Sequence, residues 1–476
     1  MALTRRRYWA MAVGSLIFRL ILIGFSDDLN LGSRPEVATP VTSLRRLAEG
    51  YWLRNSSMSP YSGSMYHGSP LLLPVLGPLT IKRVEGLPSH LFCSSIFIII
   101  DFITAMLIRA TGQKLMSTNH QSLQRLNLSC VQETTGCTNV GDLASLIFLW
   151  NPFTLVTCVG SSTSPIDNLM VVLAIFGACS GLPSLAAFGW VVATHLSLYP
   201  AILVIPVILL LGYGPDVPPS KLFLLEKSGE SGSDYSSDKT CSKQRSKEGS
   251  PLHLFSWRPA LCFILWSLIW SSYIFFLSFI SLKEFGGLSE MMKKTHGFIL
   301  NVEDLSPNIG VFWYFFAEVF EFFRSFFLIV FHINILFMLV PLVIRLRHRP
   351  CFLAFVYIAI MSMLKSYPSV GDSALYLGLL GLFANELAEM RFSFFLLCGY
   401  FGISLLSPVM HNLWIWRGTG NANFYFATGI AYASLQTVLI VESTPSLPHE
   451  NQGAPTVSDS LEDSTERQRD DGVFVP

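Results

Sequence analysis

Apolar runs of roughly 20 residues recur along the whole chain. A helix needs about that length to cross the hydrocarbon layer of a bilayer, because its backbone polar groups must be satisfied within the segment. The pattern predicts an all-α polytopic membrane protein with roughly 10–12 transmembrane helices. Two runs exceed one span, and we expect Pro200 to break the first and Pro341 to end the second. The runs lie near residues 8–25, 88–108, 143–160, 166–180, 183–212, 259–282, 311–344, 351–365, 373–390, 392–410 and 424–442.

Composition and charge narrow the functional class. Hydrophobic residues make up 51% of the 476-residue chain and charged residues 13%, against roughly a quarter in soluble domains. Lysine plus arginine equals aspartate plus glutamate at 32 each, so nothing indicates nucleic-acid binding. The nine cysteines show no metal-ligand spacing, and the sequence has no glycine-rich phosphate loop. We exclude a soluble enzyme and a disordered chain, and we expect no metal and no cofactor.

Three arginines predict the orientation of the chain. Arg5, Arg6 and Arg7 precede the first apolar run, which by the positive-inside rule places the N-terminus in the cytosol. Residues 26–69 then form a lumenal loop, and the polar stretch 109–142 faces the cytosol.

The other polar stretches predict the domain organisation. A membrane domain covers residues 1–442, residues 214–255 form a flexible polar loop within it, and residues 443–476 form a disordered tail. The segment 70–84 is apolar but short and contains three prolines. We expect it to be interfacial or re-entrant rather than a full crossing.

The predicted lumenal loop carries the first dense set of polar residues. It reads Arg34-Pro-Glu-Val, then Arg46-Leu-Ala-Glu-Gly, Ser59-Pro-Tyr-Ser-Gly and His67-Gly-Ser-Pro. This composition indicates either a shaped, packed loop or an ordinary ordered one. The order of these strings resembles the first lumenal loop of GT-C mannosyltransferases that use dolichol-phosphate-mannose. The resemblance implies a GT-C-like helical bundle with lumenal loops.

The chain departs from those enzymes at their catalytic acids. They carry a D-x-D-like acidic pair ahead of the R-x-x-E-G segment, whereas here Glu36 is the only acid in Arg-Pro-Glu-Val. Asp27 and Asp28 lie earlier, at the end of the first apolar run, where they are either solvated helix-end charges or a displaced pair. We therefore expect that the frame of the loop is kept and that its catalytic acids are lost.

A second polar region precedes and enters the seventh apolar run. Ser306 or Asn308 is predicted to cap a helix whose first turn contains Pro307. Glu318 and Glu321 are three residues apart and should share one helix face inside an apolar span. Two interpretations stay open for this pair: a buried face that lines a groove or contacts a subunit, or two helix-end charges in water.

A third polar region lies near the end of the membrane domain. Asn421 and Asn423 form an Asn-x-Asn motif after the turn Gly418-Thr-Gly420. Side-chain amides can donate to and accept from a phosphate or a sugar without carrying a charge. The pair is therefore either a ligand site at the membrane surface or two turn asparagines that satisfy local backbone groups.

Several motifs occur in the same order as in one known family, over residues from about 30 to 430. They include S-P-Y-S-G at 59–63, L-W-N-P-F-T at 149–154, L-S-P-N-I-G-V-F-W-Y-F-F-A-E at 305–318, K-S-Y-P-S-V-G-D at 365–372 and N-A-N-F at 421–424. On these motifs the chain resembles the PIG-U family, which are multi-span subunits of the glycosylphosphatidylinositol (GPI) transamidase.

The resemblance implies a non-catalytic subunit that recognises and presents the GPI lipid in the endoplasmic reticulum membrane. It implies partners of the PIG-K, PIG-T, PIG-S and GAA1 types, with the chemistry carried out by a cysteine-protease-like subunit, and contact with membrane phospholipid. The alternative reading is a dolichol-phosphate-mannose-dependent GT-C mannosyltransferase of GPI biosynthesis. A transporter is a third reading, against which the sparse intramembrane charges count.

The resemblance also assigns residues. It implies that Asn421 and Asn423 contact the GPI glycan and phosphate. A second family contact, just past the acidic pair, falls on Arg324, where relatives carry a small hydroxyl residue.

Overall fold

The computed structural model is a bundle of helices and describes residues 2–25, 30–80, 89–125, 139–215, 255–385, 387 and 390–444. The predicted loop 214–255 and tail 443–476, together with Asp27 and Asp28, lie almost wholly outside these residues. The helices are α1 (Ala2–Gly24), α2 (Leu44–Asn55), α3 (Leu72–Leu76), α4 (Ser89–Arg125), α5 (Val140–Trp150), α6 (Pro152–Val159), α7 (Ser164–Cys179), α8 (Pro183–Ser197), α9 (Val204–Tyr213), α10 (Trp257–Leu282), α11 (Gly287–Met292), α12 (Phe298–Asn301), α13 (Phe312–Glu318), α14 (Glu321–Leu346), α15 (Pro350–Leu364), α16 (Val370–Leu380), α17 (Ser393–Ile415) and α18 (Ala422–Ser443).

The predicted all-α polytopic fold is confirmed. In the described part of the chain, six helices are long and apolar enough to cross a membrane: α1, α4, α10, α14, α17 and α18. The pair α5–α6, bent by 49°, makes a seventh candidate span, and several shorter apolar helices lie among them. The total of ten to twelve spans counts these shorter helices and stays a prediction.

The centre of the bundle is α15. Nearly every residue of this helix is buried, including Tyr357 at 0% exposure. Its sequence is apolar on all sides, which is the pattern of a helix surrounded by other helices. The long helices α10, α14 and α17 instead expose broad apolar faces, as expected for surfaces in contact with lipid.

Proline acts differently in the two longest runs. The break at Pro200 is confirmed: α8 ends at Ser197 and a short 3₁₀ turn, Tyr199–Leu203, leads into α9. The predicted end at Pro341 is wrong, because α14 continues to Leu346. Membrane helices tolerate proline, and α15 contacts this turn of α14 through the Tyr357 hydroxyl, which donates to the Leu339 carbonyl at 2.9 Å.

The helix of the second apolar run extends past residue 108, because α4 continues to Arg125, with Thr111 and Thr118 donating to carbonyls one turn back. The predicted helix start near Pro307 is wrong, because α13 begins only at Phe312. Asn308 instead accepts from the Gly310 N–H at 2.8 Å in a local turn, so its side chain is not available as a helix cap.

Candidate functional site

Asn421 and Asn423 lie at the first turn of α18, and both are exposed. Asn421 is the N-cap, and its Oδ1 accepts from the Phe424 N–H at 3.3 Å. The Oδ1 of Asn423 accepts from the hydroxyl of Tyr314 on α13. Both amide oxygens are therefore engaged within the protein, while the two Nδ2 groups have no hydrogen-bond partner among the described residues. The preceding turn requires positive φ at Gly418, which glycine adopts freely.

Aromatic side chains hold α13 against the C-terminal end of α17 and the N-terminal end of α18. The ring of Trp313 stacks on Trp414 with 6.1 Å between centroids and approaches Tyr425 at 6.0 Å. Tyr314 stacks on Phe426 at 4.5 Å, directly beside the bond to Asn423. These contacts bring the second and third polar regions of the sequence together.

The first polar region reaches the same place through Glu36. This carboxylate is 5% exposed, and its Oε1 accepts from Tyr425 Oη at 3.2 Å and from Ser407 Oγ at 3.3 Å. The Glu36 carbonyl accepts from the Val370 N–H at the start of α16. The residue is thus fixed between the predicted lumenal loop and three helices. The loop has a defined, packed shape at this point.

The same loop is anchored at its far side. Arg46 of α2 pairs with Asp304 at 2.8 Å, which ties the loop to the segment ahead of α13. Burial raises the pKa of Asp304, but hydrogen bonds from Ser306 and Arg46 outweigh it and hold the pKa below its usual value. Tyr61 and Tyr66 stack at 5.8 Å, and burial raises the pKa of both phenols. The loop is therefore packed against its surroundings on this side as well.

Glu318 and Glu321 do not share a helix face, so that prediction was wrong. Glu318 ends α13, Glu321 begins α14, and the extended residues Val319 and Phe320 separate them. Both carboxylates are exposed, which agrees with helix-end charges and places neither in a buried groove. Their part in assembly stays a prediction.

Arg324 stabilises this helix break. Its guanidinium donates to the carbonyls of Asn301 at 3.2 Å and Val302 at 2.9 Å, and to that of Phe316 at 3.4 Å. These are carbonyls near the ends of α12 and α13, which a helix leaves without an internal partner. Arg324 therefore has a structural role here, and its proposed contact with GPI would need donors beyond those already in use.

Sequence reasoning missed Tyr314 and undervalued Glu36. Tyr314 belongs to a run of aromatic residues of the kind that is common where a helix meets the membrane surface, so the sequence did not single it out. Glu36 was interpreted as the remnant of a lost acidic pair. One signal was present for Glu36: it is the single acid in a proline-bounded segment, Pro35 to Pro40, of an otherwise shaped loop.

An apolar cavity of about 950 Å³ lies directly below this polar cluster. Glu36 and Ser407 line its upper end, and Tyr400, Tyr432 and Leu439 line its length. The asparagine pair thus stands above a space that continues into the membrane along α18.

The comparisons with known proteins agree on one family. A family model described as GPI transamidase subunit PIG-U matches residues 13–432. The chain is 32% identical over 440 residues to the human GPI-anchor transamidase component PIGU and 34% identical over 446 residues to the mouse component, covering 90% of each chain. It is 24% identical over 436 residues to the GPI transamidase component GAB1 of Saccharomyces cerevisiae, covering 91% of this chain and 92% of that one. The chain therefore belongs to the PIG-U family.

Proposed function

We propose that the chain is a non-catalytic subunit of a GPI transamidase in the endoplasmic reticulum membrane, where it recognises the GPI lipid and presents it for attachment to protein. The observation that carries this proposal is the pair Asn421 and Asn423, whose amide oxygens are engaged and whose Nδ2 groups, on exposed side chains, have no hydrogen-bond partner among the described residues. The relatives named as GPI transamidase components supply the context.

The chemistry of the pair suits the head group of a GPI. Phosphates accept hydrogen bonds and do not donate them, and mannose hydroxyls accept as well, so outward amide donors match both. The N-terminus of α18 adds N–H groups and a partial positive charge at the same place. Arg417, exposed in the preceding turn, adds a full positive charge. Together these groups favour an anionic head group at the membrane surface.

Five cysteines whose surroundings the structure describes support a non-catalytic role. Cys158, Cys179 and Cys351 are buried, and Cys262 and Cys398 lie on the apolar helices α10 and α17. A transamidase nucleophile needs a polar setting in which a neighbouring histidine can activate the thiol. We therefore assign the chemistry to another subunit, with partners of the PIG-K, PIG-T, PIG-S and GAA1 types.

Affinity purification in mild detergent tests the subunit assignment. The tagged chain is expected to recover a protease-like subunit together with the other transamidase components, and the complex is expected to contain GPI. Recovery of a mannosyltransferase partner set without a protease-like subunit would contradict the proposal and favour the mannosyltransferase reading. A catalytically active preparation of this chain alone, with dolichol-phosphate-mannose as donor, would do the same.

A further inference from the structure

Asn55 begins one of the two Asn-x-Ser/Thr triplets in the sequence, the motif at which N-linked glycans are attached to proteins. The triplets are Asn55-Ser-Ser, in the predicted lumenal loop, and Asn127-Leu-Ser, in the stretch 109–142 that is predicted to face the cytosol. Asn127 lies outside the residues that the structure describes. Because these glycans are added on the lumenal side of the membrane, the orientation of the chain decides which triplet can be modified.

The packing of α14 and α15 supports a lumenal position for α2. α14 ends at the basic segment 345–349, and α15 runs back beside it for 15 residues, which is about 22 Å of helix. Beyond the far end of α15, the hydroxyl of Tyr367 accepts from the Asp304 N–H at 2.9 Å, and Asp304 pairs with Arg46 of α2. α2 therefore lies away from the basic segment. Basic residues at the ends of spans favour the cytosolic side, so α2 belongs to the lumenal side, as the N-terminal arginines also predict.

Asn55 is the last residue of α2, and the fold leaves its side chain free. Asn55, Ser56 and Ser57 are all exposed; Ser56 is the C-cap and Ser57 has a φ of +59°, so the triplet lies where the helix stops. The amide of Asn55 and the hydroxyl of Ser57 have no hydrogen-bond partner among the described residues. Met58, the next residue, is 40% exposed. A bulky glycan at Asn55 would therefore displace no packed side chain.

Trp52 is a second, independent indication of a sugar at this place. It lies one turn before Asn55 on the outer face of α2, and 62% of its surface is exposed. The same face carries Arg45 and Glu49, so it meets water rather than hydrocarbon. Helical side chains lean toward the N-terminus, which directs Asn55 over the turn that carries Trp52. The first sugar of a glycan would lie against the indole, whose negative ring face attracts the C–H groups of the sugar.

We propose that Asn55 carries an N-linked glycan whose first sugar packs on Trp52. The donor is an oligosaccharide joined to a lipid through a diphosphate, and an oligosaccharyltransferase carries out the transfer. The Nδ2 atom of Asn55 forms a bond to C1 of the first sugar, the C1–O bond to the diphosphate breaks, the lipid diphosphate leaves, and one amide proton passes to the transferase. The modified residue lies on a different helix from Asn421 and Asn423, and this inference does not depend on the proposed function.

The first test measures the gel mobility of the full-length tagged chain, made in a eukaryotic host, before and after digestion with peptide N-glycosidase. Wild type is expected to shift by a single glycan, and Asn55→Gln is expected to run at the digested position without treatment. Asn127→Gln is expected to shift as wild type does. A wild-type chain that does not shift, a shift that survives Asn55→Gln, or a shift that is lost in Asn127→Gln would overturn the proposal.

The two serines of the triplet provide a matched pair of variants. Ser57→Ala destroys the motif but keeps Asn55, so it should abolish the shift. Ser56→Ala changes the central position, where any residue except proline is allowed, so it should keep the shift. Both serines are exposed, so neither variant removes a packed side chain. A shift that survives Ser57→Ala, or one that is lost in Ser56→Ala, would assign the mobility change to another cause and contradict the site.

The contact with Trp52 is tested by the thermal midpoint of the purified complex. Trp52→Ala should lower the midpoint of the glycosylated protein. The same change should leave the midpoint unaltered in the Ser57→Ala background, where no sugar covers the indole. Equal decreases in the two backgrounds would refute the packing of the sugar on Trp52.

A glycan at Asn55 also requires that the outer face of α2 stays in water when the chain is assembled with other subunits. Peptide N-glycosidase should therefore remove the glycan from the native complex as completely as from the denatured chain. A glycan that resists digestion in the native complex and is removed only after denaturation would show that this face is covered, which contradicts the proposed arrangement.

Discussion

Glu36 and Asp101 are both buried carboxylates, but the groups that surround them differ. Asp101 on α4 lies 3.8 Å from the guanidinium of Arg19 on α1, and the two side chains are 1% and 0% exposed. Glu36 is nearly as buried but receives only hydroxyl donors, from Tyr425 and Ser407, and its second oxygen faces a cavity. Asp101 thus faces a cation of the protein itself, although its Oδ2 accepts no hydrogen bond among the described residues, whereas Glu36 lines a cavity with room for a ligand.

The difference separates a structural site from a binding site. The Arg19–Asp101 pair joins two long helices inside the membrane region, where an isolated charge is costly and a partner is required. Glu36 lies in electrostatic range of His411, but its Oε2 has no hydrogen-bond partner among the described residues. The cavity that Glu36 lines makes this acid a candidate contact for a ligand.

Removing one member of the structural pair should have the largest effect. Asp101→Asn leaves Arg19 buried without a counter-charge, which typically costs about 3–5 kcal/mol. We expect a large loss of correctly assembled protein, measured by gel filtration of the detergent extract and by the thermal midpoint of the remaining complex.

The control for this variant is the apolar double replacement Arg19→Leu/Asp101→Leu. Replacing a buried pair by apolar residues of similar size is often neutral or stabilising, so most of the loss should be recovered. A single variant as stable as wild type would mean that the pair does not join α1 to α4 in the assembled protein.

Tyr425→Phe tests the other half of the comparison and should have an intermediate effect. It removes one of the two donors to Glu36 and leaves a buried carboxylate less satisfied, which typically costs about 1–3 kcal/mol. The expected result is a lower thermal midpoint of the complex and weaker binding of GPI. Tyr199→Phe is the control, because that buried hydroxyl bonds to Ser366 and lies outside the cavity lining. Equal GPI binding by Tyr425→Phe and wild type would show that Glu36 needs no such support.

The pH response of the predicted lumenal loop should be the smallest effect. His67 stacks on Phe298 with 3.5 Å between ring centroids, and burial lowers its pKa below the usual value near 6.5. The folded state therefore binds fewer protons than the unfolded state just below that pH. The neutral His67 side chain therefore contributes its full stabilisation above about pH 6.5. This stabilisation is lost as the pH falls through the lower pKa that His67 has in the folded state.

Thermal midpoints of the complex at pH 7.5 and pH 5.5 measure this response. His67→Gln should be less stable than wild type at pH 7.5 and should show a smaller drop on acidification. An unchanged drop in the variant would assign the pH dependence to other groups of the loop.

How much of this arrangement could be predicted from sequence differs between the helices and the site. Apolar length is a local property, so α10, α17 and α18 were located to within a few residues. The contact between Glu36 and Tyr425 joins residues 389 positions apart, and no local pattern predicts it. The helix break at Val319 was missed for a similar reason, since Arg324 stabilises it from the next helix.

The interpretations of Asn421 and Asn423 came closer to the structure than those of the other candidate site residues. Sequence reasoning left two interpretations open, a ligand site or turn asparagines that satisfy local groups. The structure shows the local satisfaction through the oxygens of Asn421 and Asn423, and the Nδ2 groups of these exposed residues have no hydrogen-bond partner among the described residues. The two interpretations are therefore compatible, because the oxygens and the nitrogens serve different partners.

The amount of GPI bound per complex, measured by mass spectrometry after purification in mild detergent, tests the central proposal most directly. Hydrogen bonds to a charged group are worth about 1.5–3 kcal/mol each, so Asn421→Ala/Asn423→Ala should lower GPI occupancy about tenfold or more. Subunit recovery should be unchanged, and the control Asn301→Ala, an exposed asparagine at the end of α12, should keep wild-type occupancy. Equal GPI occupancy in the double variant and the wild type, with the same subunits recovered, would contradict the account.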